Sequence, residues 1–288
     1  MNISKRIGPE TARYAVLGEH LAHTWSPYIH NTLFDAAGAD AIYLPMTIDA
    51  AHLESAIDVL RYCYAGFNVT IPYKERILPF LDGLDERARV MQAVNTVENH
   101  NGKLIGHITD GLGMMRALSE HGIPTNAIHA LILGGGGAAR VAAYEILERG
   151  GNVSFALRHP EKGKVLIDSL KPAFTDAESR ISVFALNRTY GSYDLIINCT
   201  PVGMYPKVDA CPLTETVIQK AGAVFDAVYN PRETVFLKTA RSAGIPAVEG
   251  FGMLFYQAVE AERYFNPDNL PDNAVISRIY SALLEQLS

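Results

Sequence analysis

Residues 130–151 read ALILGGGGAARVAAYEILERGG: an apolar run, four glycines, a helical period and a Gly-Gly stop. Gly134, Gly136 and Ala139 match G-x-G-x-x-A directly after the strand and at the start of the helix. The first glycine permits a tight turn, the second lets backbone approach a pyrophosphate, and the small third residue lets helix pack on strand. The helix N-terminus then stabilises the anion. Outward from this loop, NVSFAL (152–157), ISVFAL (181–186), DLIINCT (194–200), AVFDAVY (223–229) and PAVEG (246–250) are short apolar strands separated by helical stretches. That alternation predicts a parallel, doubly wound sheet of Rossmann type, with a cofactor's nicotinamide end beyond the central strand at Thr200-Pro201.

The flanking sequence is also α/β. RYAVLGE (13–19), AIYLPMTI (41–48) and GFNVTI (66–71) read as strands. Residues 26–38 read as a helix with Ser26 as N-cap, Pro27 at the first helical position and Gly38 as the stop. Further helices are expected over about 50–62, 74–81 and 112–121, and at the C-terminus from Gly250 onward. Asn101-Gly102, between AVNTVENH and KLIGHIT, is a hairpin signal. The reading is an N-terminal α/β substrate domain over 1–110, completed by helices in 251–288, with the dinucleotide-binding domain over 111–250.

Composition narrows the function. The chain has 288 residues, 48% hydrophobic and 19% charged, which suits roughly two domains of about 150 residues each. A net charge of -6 argues against nucleic acid as a partner. No apolar run approaches the roughly 18 residues of a membrane span, and MNISKRIGPE lacks a signal-peptide core. Cys63, Cys199 and Cys211 have no metal or disulfide spacing, and the nine histidines form no ligand pattern, so no metal is expected and a cytoplasmic location is. The strand after the glycine loop ends Leu157-Arg158-His159 without the acid that NAD binders place there. A carboxylate would repel a 2′-phosphate, whereas the Arg158 guanidinium pairs with one. NADP is therefore favoured, with NAD as the alternative.

Polar clusters outside the glycine-loop region carry the candidate chemistry. They are Thr24 and Ser26 in HTWSP, Asn68, Thr70 and Lys74 in NVTIPYK, Asn95 in AVNT, and Asp110 in ITDG. A helix N-terminus flanked by hydroxyls binds a carboxylate, and Ser26 can cap the helix and serve that site together. Gln257 interrupts the apolar stripe Met253, Leu254, Ala258 and Ala261, so its amide needs partners that either a substrate hydroxyl or backbone supplies.

These motifs, with GGGGAAR, NCTPVGM, DAVYNP and GFGMLFYQA, resemble the shikimate dehydrogenase family in order and approximate spacing, from about Tyr14 to the last helix. The resemblance implies NADP-dependent, reversible reduction of 3-dehydroshikimate to shikimate in aromatic amino-acid biosynthesis. It implies Lys74 and Asp110 as the catalytic pair, and substrate contacts from Thr24, Ser26, Asn68, Thr70, Asn95, Tyr229 and Gln257. It also implies cofactor contacts from Gly134, Gly136, Gly137, Ala138, Arg158, Thr200 and Gly250. Three positions depart from the family pattern: Thr24 replaces a serine, Leu157-Arg158-His159 keeps only the arginine of N-R-T, and Ile108 replaces the asparagine before TDG. A quinate/shikimate dehydrogenase with relaxed substrate and cofactor choice is the alternative, and a catalytically silent dinucleotide-binding regulator another. The expected partner is a small molecule, and the assembly a monomer or homodimer.

Overall fold

The structure, a computed structural model, describes residues 7–188 and 191–286. The chain divides into two compact units, Met1–Thr109 with Ala258–Ser288, and Asp110–Gln257. The second junction falls inside a helix, later in the chain than the sequence boundary at 250.

In the first unit the order is β1 (Ala12–Gly18), α1 (Ser26–Ala37), β2 (Ala41–Thr47), α2 (Leu53–Cys63), β3 (Gly66–Val69), β4 (Gly83–Leu84), α3 (Glu86–Met91), β5 (Thr96–His100) and β6 (Lys103–His107). The six strands form one mixed sheet in the order β2-β1-β3-β5-β6-β4. β1 is parallel to β2 and β3, while β5 is antiparallel to both β3 and β6. Alternate residues of β1 feed two cores, as strand pleating requires. Ala15 and Leu17 pack with Leu60, Phe67 and Val69, while Tyr14 and Val16 pack with Phe34, Tyr43, Ala261 and Phe265. Asn101 and Gly102 both have positive φ, the backbone of the tight hairpin expected there.

Two local expectations need correction. Residues 74–81 form turns and one 3₁₀ turn at Leu78–Phe80 in place of a helix. Pro79 has no N–H to continue an α-helix, and the buried Ile77 anchors the segment on the sheet. Ser26 is the first helical residue of α1, and Trp25 stands at the cap with no side-chain cap bond. The Thr24 hydroxyl accepts from Ser26 N at 3.4 Å, so Thr24 takes over part of the expected capping role.

The second unit begins with α4 (Asp110–Glu120), β7 (His129–Leu133), α5 (Gly137–Glu148), β8 (Asn152–Leu157), α6 (Gly163–Leu170), α7 (Ala177–Arg180) and β9 (Ile181–Ala185). It continues with β10 (Tyr193–Asn198), α8 (Glu215–Ile218), β11 (Ala221–Asp226), α9 (Val235–Ser242) and β12 (Ala247–Val248). α10 (Gly250–Phe265) starts in this unit and ends in the first, where α11 (Asn273–Gln286) follows. The sheet is wholly parallel, ordered β12-β11-β10-β7-β8-β9. Its strand order reverses between β7 and β10, where open α/β sheets bind ligands. Gly113 lets α4 approach α10 closely: a Cβ there would lie 2.4 Å from Gln257 N and 2.7 Å from Met253 O.

Candidate active site

At the carboxyl end of β7 the chain turns through Gly134, whose φ of 100° suits glycine, and enters α5 at Gly137 with Gly136 as N-cap. The exposed glycines leave the first N–H groups of α5 open, an anion site by partial charge and geometry alike. Beside them lies a cavity of about 810 Å³ lined by Gly134, Gly135, Gly136, Ala156, Leu157, Leu166, Thr200, Pro201, Val202 and Gly203. Arg158, His159, Lys162 and Lys207 also line it. Arg158 and Lys162 make no side-chain ion pair among the described residues and are exposed, so their donors remain available to a phosphate. A backbone cradle, an apolar cleft and free cations fit a phosphorylated dinucleotide. Of the expected cofactor residues, Gly134, Gly136, Arg158 and Thr200 line this cavity. Gly137 and Ala138 open α5. Gly250 opens α10, where backbone crowds it: a Cβ would lie 2.7 Å from Ala227 O. Lys162, three residues past His159, and Lys207 are basic residues that motif reading overlooked.

A buried network shapes the wall past β10. Asn198 Oδ1 accepts from Thr200 N at 3.1 Å and from the Thr200 hydroxyl at 2.7 Å, while its Nδ2 donates to Asp226 Oδ1 at 2.9 Å. Asp226 also accepts from Val228 N at 3.0 Å and from the Thr234 hydroxyl at 2.7 Å. Burial pushes the Asp226 carboxyl up to about 6, against the pull of those donors. Asn198 and Asp226 both end strands, and only the ladder between β10 and β11 reveals that they meet.

In the first unit, the carboxyl ends of β1 and β3 share one edge with the amino end of the antiparallel β5. That edge collects Thr24 and Ser26 before and at the start of α1, Asn68 on β3, Thr70 just past it, Lys74 in the following turn, and Asn95 before β5. The Thr24 hydroxyl donates to Ser26 Oγ at 3.3 Å. Asn68 Nδ2 donates to Asn95 O and to Thr96 Oγ1, both at 3.0 Å. Val94 N donates to Lys74 O at 2.8 Å, which ties the lysine's turn to the segment that carries Asn95 into β5. Asn95 Oδ1 accepts from Thr109 N at 2.8 Å, and Asn95 Nδ2 donates to Thr109 Oγ1 at 3.0 Å. With Ile108 in place of an asparagine, this amide holds Thr109, the residue before Asp110.

Asp110 opens α4 in the second unit, directly after Thr109. Gln257, also in the second unit, is buried and donates from Nε2 to Leu254 O at 3.0 Å, so backbone meets part of its requirement. Tyr229, past β11, is exposed. Among the described residues no cluster of His, Cys, Asp and Glu is arranged to hold a metal, and no helix is long and apolar enough to cross a membrane.

Comparison with known proteins agrees with the motifs. Residues 16–97 match the family model for the shikimate dehydrogenase substrate binding domain. A shikimate dehydrogenase (NADP(+)) of Methanococcus maripaludis is 40% identical over 254 residues, 87% of this chain and 90% of the relative. A shikimate dehydrogenase crystallised with NADP+ superposes with a TM-score of 0.91 at 31% identity, covering 99% of both chains. The Thermus thermophilus enzyme, solved with NADP(H) and shikimate, superposes with a TM-score of 0.83 at 31% identity, over 94% of this chain and 99% of that one.

Proposed function

The chain belongs to the shikimate dehydrogenase family, and from that premise we propose that it interconverts shikimate and 3-dehydroshikimate with NADP, serving aromatic amino-acid biosynthesis. The observation that carries this reading is the cluster of hydroxyls, amides and one ammonium, from Thr24 to Asn95, on one edge of the first sheet. Such a set suits a small carboxylate bearing several hydroxyls. It would have little use in a protein that merely senses a dinucleotide.

NADP, bound in the glycine-loop cleft, supplies the hydride acceptor or donor. Thr24 and Ser26 hold the substrate carboxylate, assisted by the partial positive charge at the start of α1. This binding is remote from the reacting carbon and fixes its orientation. Asn68, Thr70, Asn95, Tyr229 and Gln257 contact ring hydroxyls. In the reductive direction negative charge develops on the carbonyl oxygen, and Lys74 stabilises it and donates the proton. Asp110, which opens α4 in the second unit, is the other member of the proposed catalytic pair. Gly134, Gly136, Gly137, Ala138 and Thr200 hold the cofactor, with Gly250 supporting the loop after β11 and Arg158 gripping the 2′-phosphate. The three free cysteines suit a reducing cytoplasm. The protein works as a monomer or homodimer, which sedimentation distinguishes.

The test is cofactor reduction followed with shikimate and with quinate, each against NADP+ and NAD+. Turnover concentrated in the shikimate–NADP+ arm is the expected result. Comparable turnover with quinate would move the assignment to the relaxed alternative, and none in any arm would sink both.

A further inference from the structure

Tyr43 lies on β2, the edge strand of the first sheet, and its ring is almost completely buried. Two neighbours hold it. The Asn31 side chain donates to Tyr43 O and accepts from Tyr43 N, each at 2.9 Å, pairing the backbone on the side away from β1. The His30 ring stacks on Tyr43 with centroids 4.1 Å apart and planes 3° from parallel. His30 Nδ1 is itself fixed at 2.6 Å from Glu262 Oε1, a buried pairing between the two stretches that make up this unit. The hydroxyl so placed donates to Asn68 Oδ1 at 2.6 Å.

Both N–H directions of the Asn68 amide are taken by Asn95 O and Thr96 Oγ1. An amide oxygen has two lone pairs, and Tyr43 occupies one. We propose that Tyr43 is a positioning residue for substrate recognition, holding Asn68 so that it offers a single carbonyl lone pair, and no N–H, to a ring hydroxyl. This rests on the reading of Asn68 as a substrate contact. Burial and the nearby Glu262 charge push the Tyr43 phenol well above its ordinary range, so it keeps its proton and remains a donor.

The polarity of that contact selects which oxygen Asn68 meets. The reacting oxygen alternates between a hydroxyl, which donates, and a carbonyl, which only accepts. A lone pair held rigidly in place suits the first and repels the second. Asn68 therefore reads a hydroxyl that persists through the reaction, leaving the reacting oxygen to groups that can donate.

The experiment compares the wild-type protein, Tyr43→Phe and Asn68→Ala with shikimate and with analogues lacking one non-reacting hydroxyl. For Tyr43→Phe the KM for shikimate is expected to rise about five- to thirtyfold, the lower part of the range for a buried polar group left without its partner. Its kcat should stay within about twofold of wild type, as for lost uniform binding, and the KM for NADP+ should not move. The penalty should vanish with the one analogue that lacks the hydroxyl read by Asn68. An unchanged KM in Tyr43→Phe beside a raised one in Asn68→Ala overturns the positioning role alone. An unchanged KM in Asn68→Ala overturns the underlying contact. An equal penalty for every analogue marks general loosening and overturns the proposal too. A measurement on the wild type needs no variant to fold: the Asn68 side-chain N–H protons should be protected from solvent exchange in nitrogen-resolved NMR of the free protein. Exchange as fast as that of an exposed asparagine would contradict the fixed amide.

Discussion

Lys74 is half-buried in the turn after β3, its backbone tied to Val94. In the proposed mechanism, removal of its ammonium takes away both the charge that meets the developing alkoxide and the proton that quenches it. Lys74→Ala should therefore lower kcat at least about a hundredfold, the usual scale for general acid–base assistance, with the fold intact by circular dichroism. Near-normal turnover in the folded variant would remove Lys74 from the mechanism. Arg158 faces the cofactor cleft without an ion-pair partner among the described residues. Arg158→Ala should raise the KM for NADP+ and spare that for NAD+, because only the former carries the 2′-phosphate. Equal shifts for the two cofactors would place Arg158 elsewhere. Lys162 lines the same cleft, so the loss should be partial. Both residues stand in short, local motifs, which is why sequence reading reached Lys74 and Arg158. Tyr43 and Glu262 carry no motif: their bonds join residues 25 and 232 positions apart, and only the folded sheet brings them together.

Among the elements, the loops after β10 and β11 depend on one carboxyl. Asp226 has a value of about 6 against 3.8 for its ordinary range, because burial disfavours the charge. Between these values the folded state holds a proton that the unfolded state has released. Unfolding free energy therefore falls as pH rises from about 4 to about 6, by up to about 1.4 kcal/mol per pH unit from this group. Asp226→Asn should lack that component. Urea midpoints of the two proteins at pH 4.5, 5.5 and 6.5 read it directly, and a constant difference would refute it. Elements with strong local signals were legible: Gly134 at the loop after β7, Gly38 at the end of α1, Asn101-Gly102 between β5 and β6. The segment 74–81 was not, since a helical-looking apolar spacing competes there with Pro79 and with burial against the sheet. Ser26 stands inside α1 with Trp25 at the cap, and Thr24, two residues earlier, supplies the hydroxyl that Ser26 N uses.

On the scale of the whole molecule, a net charge of -6 means that the two anionic ligands of the proposed reaction would have to be held by local devices against an unfavourable total. The candidates are helix N-termini, hydroxyls, and the side chains of Lys74, Arg158 and Lys162. The unit boundaries matter as much. Ala261 and Phe265 pack on Tyr14, Val16 and Phe34, and the Tyr14 hydroxyl donates to Phe265 O at 2.8 Å. A chain ending at Gln257 should therefore lose tertiary structure in the first sheet, leaving the parallel sheet protected. Hydrogen exchange resolved by segment would show β1 and β2 unprotected beside a protected β7 and β10. Equal protection of both sheets would mean that α11 and the part of α10 after Gln257 are dispensable.

The same arrangement sets a timetable for biosynthesis. A ribosome releases β1 before the whole second unit and Phe265 after it, yet the two are neighbours in one core. The intervening second unit is contiguous, so it can fold while the chain is still being made. The nascent first sheet meanwhile waits with one apolar side uncovered. Any pause in translation between Gln257 and Phe265 prolongs that wait, and chaperone capture of the stalled chain should concentrate on β1, β2 and α1.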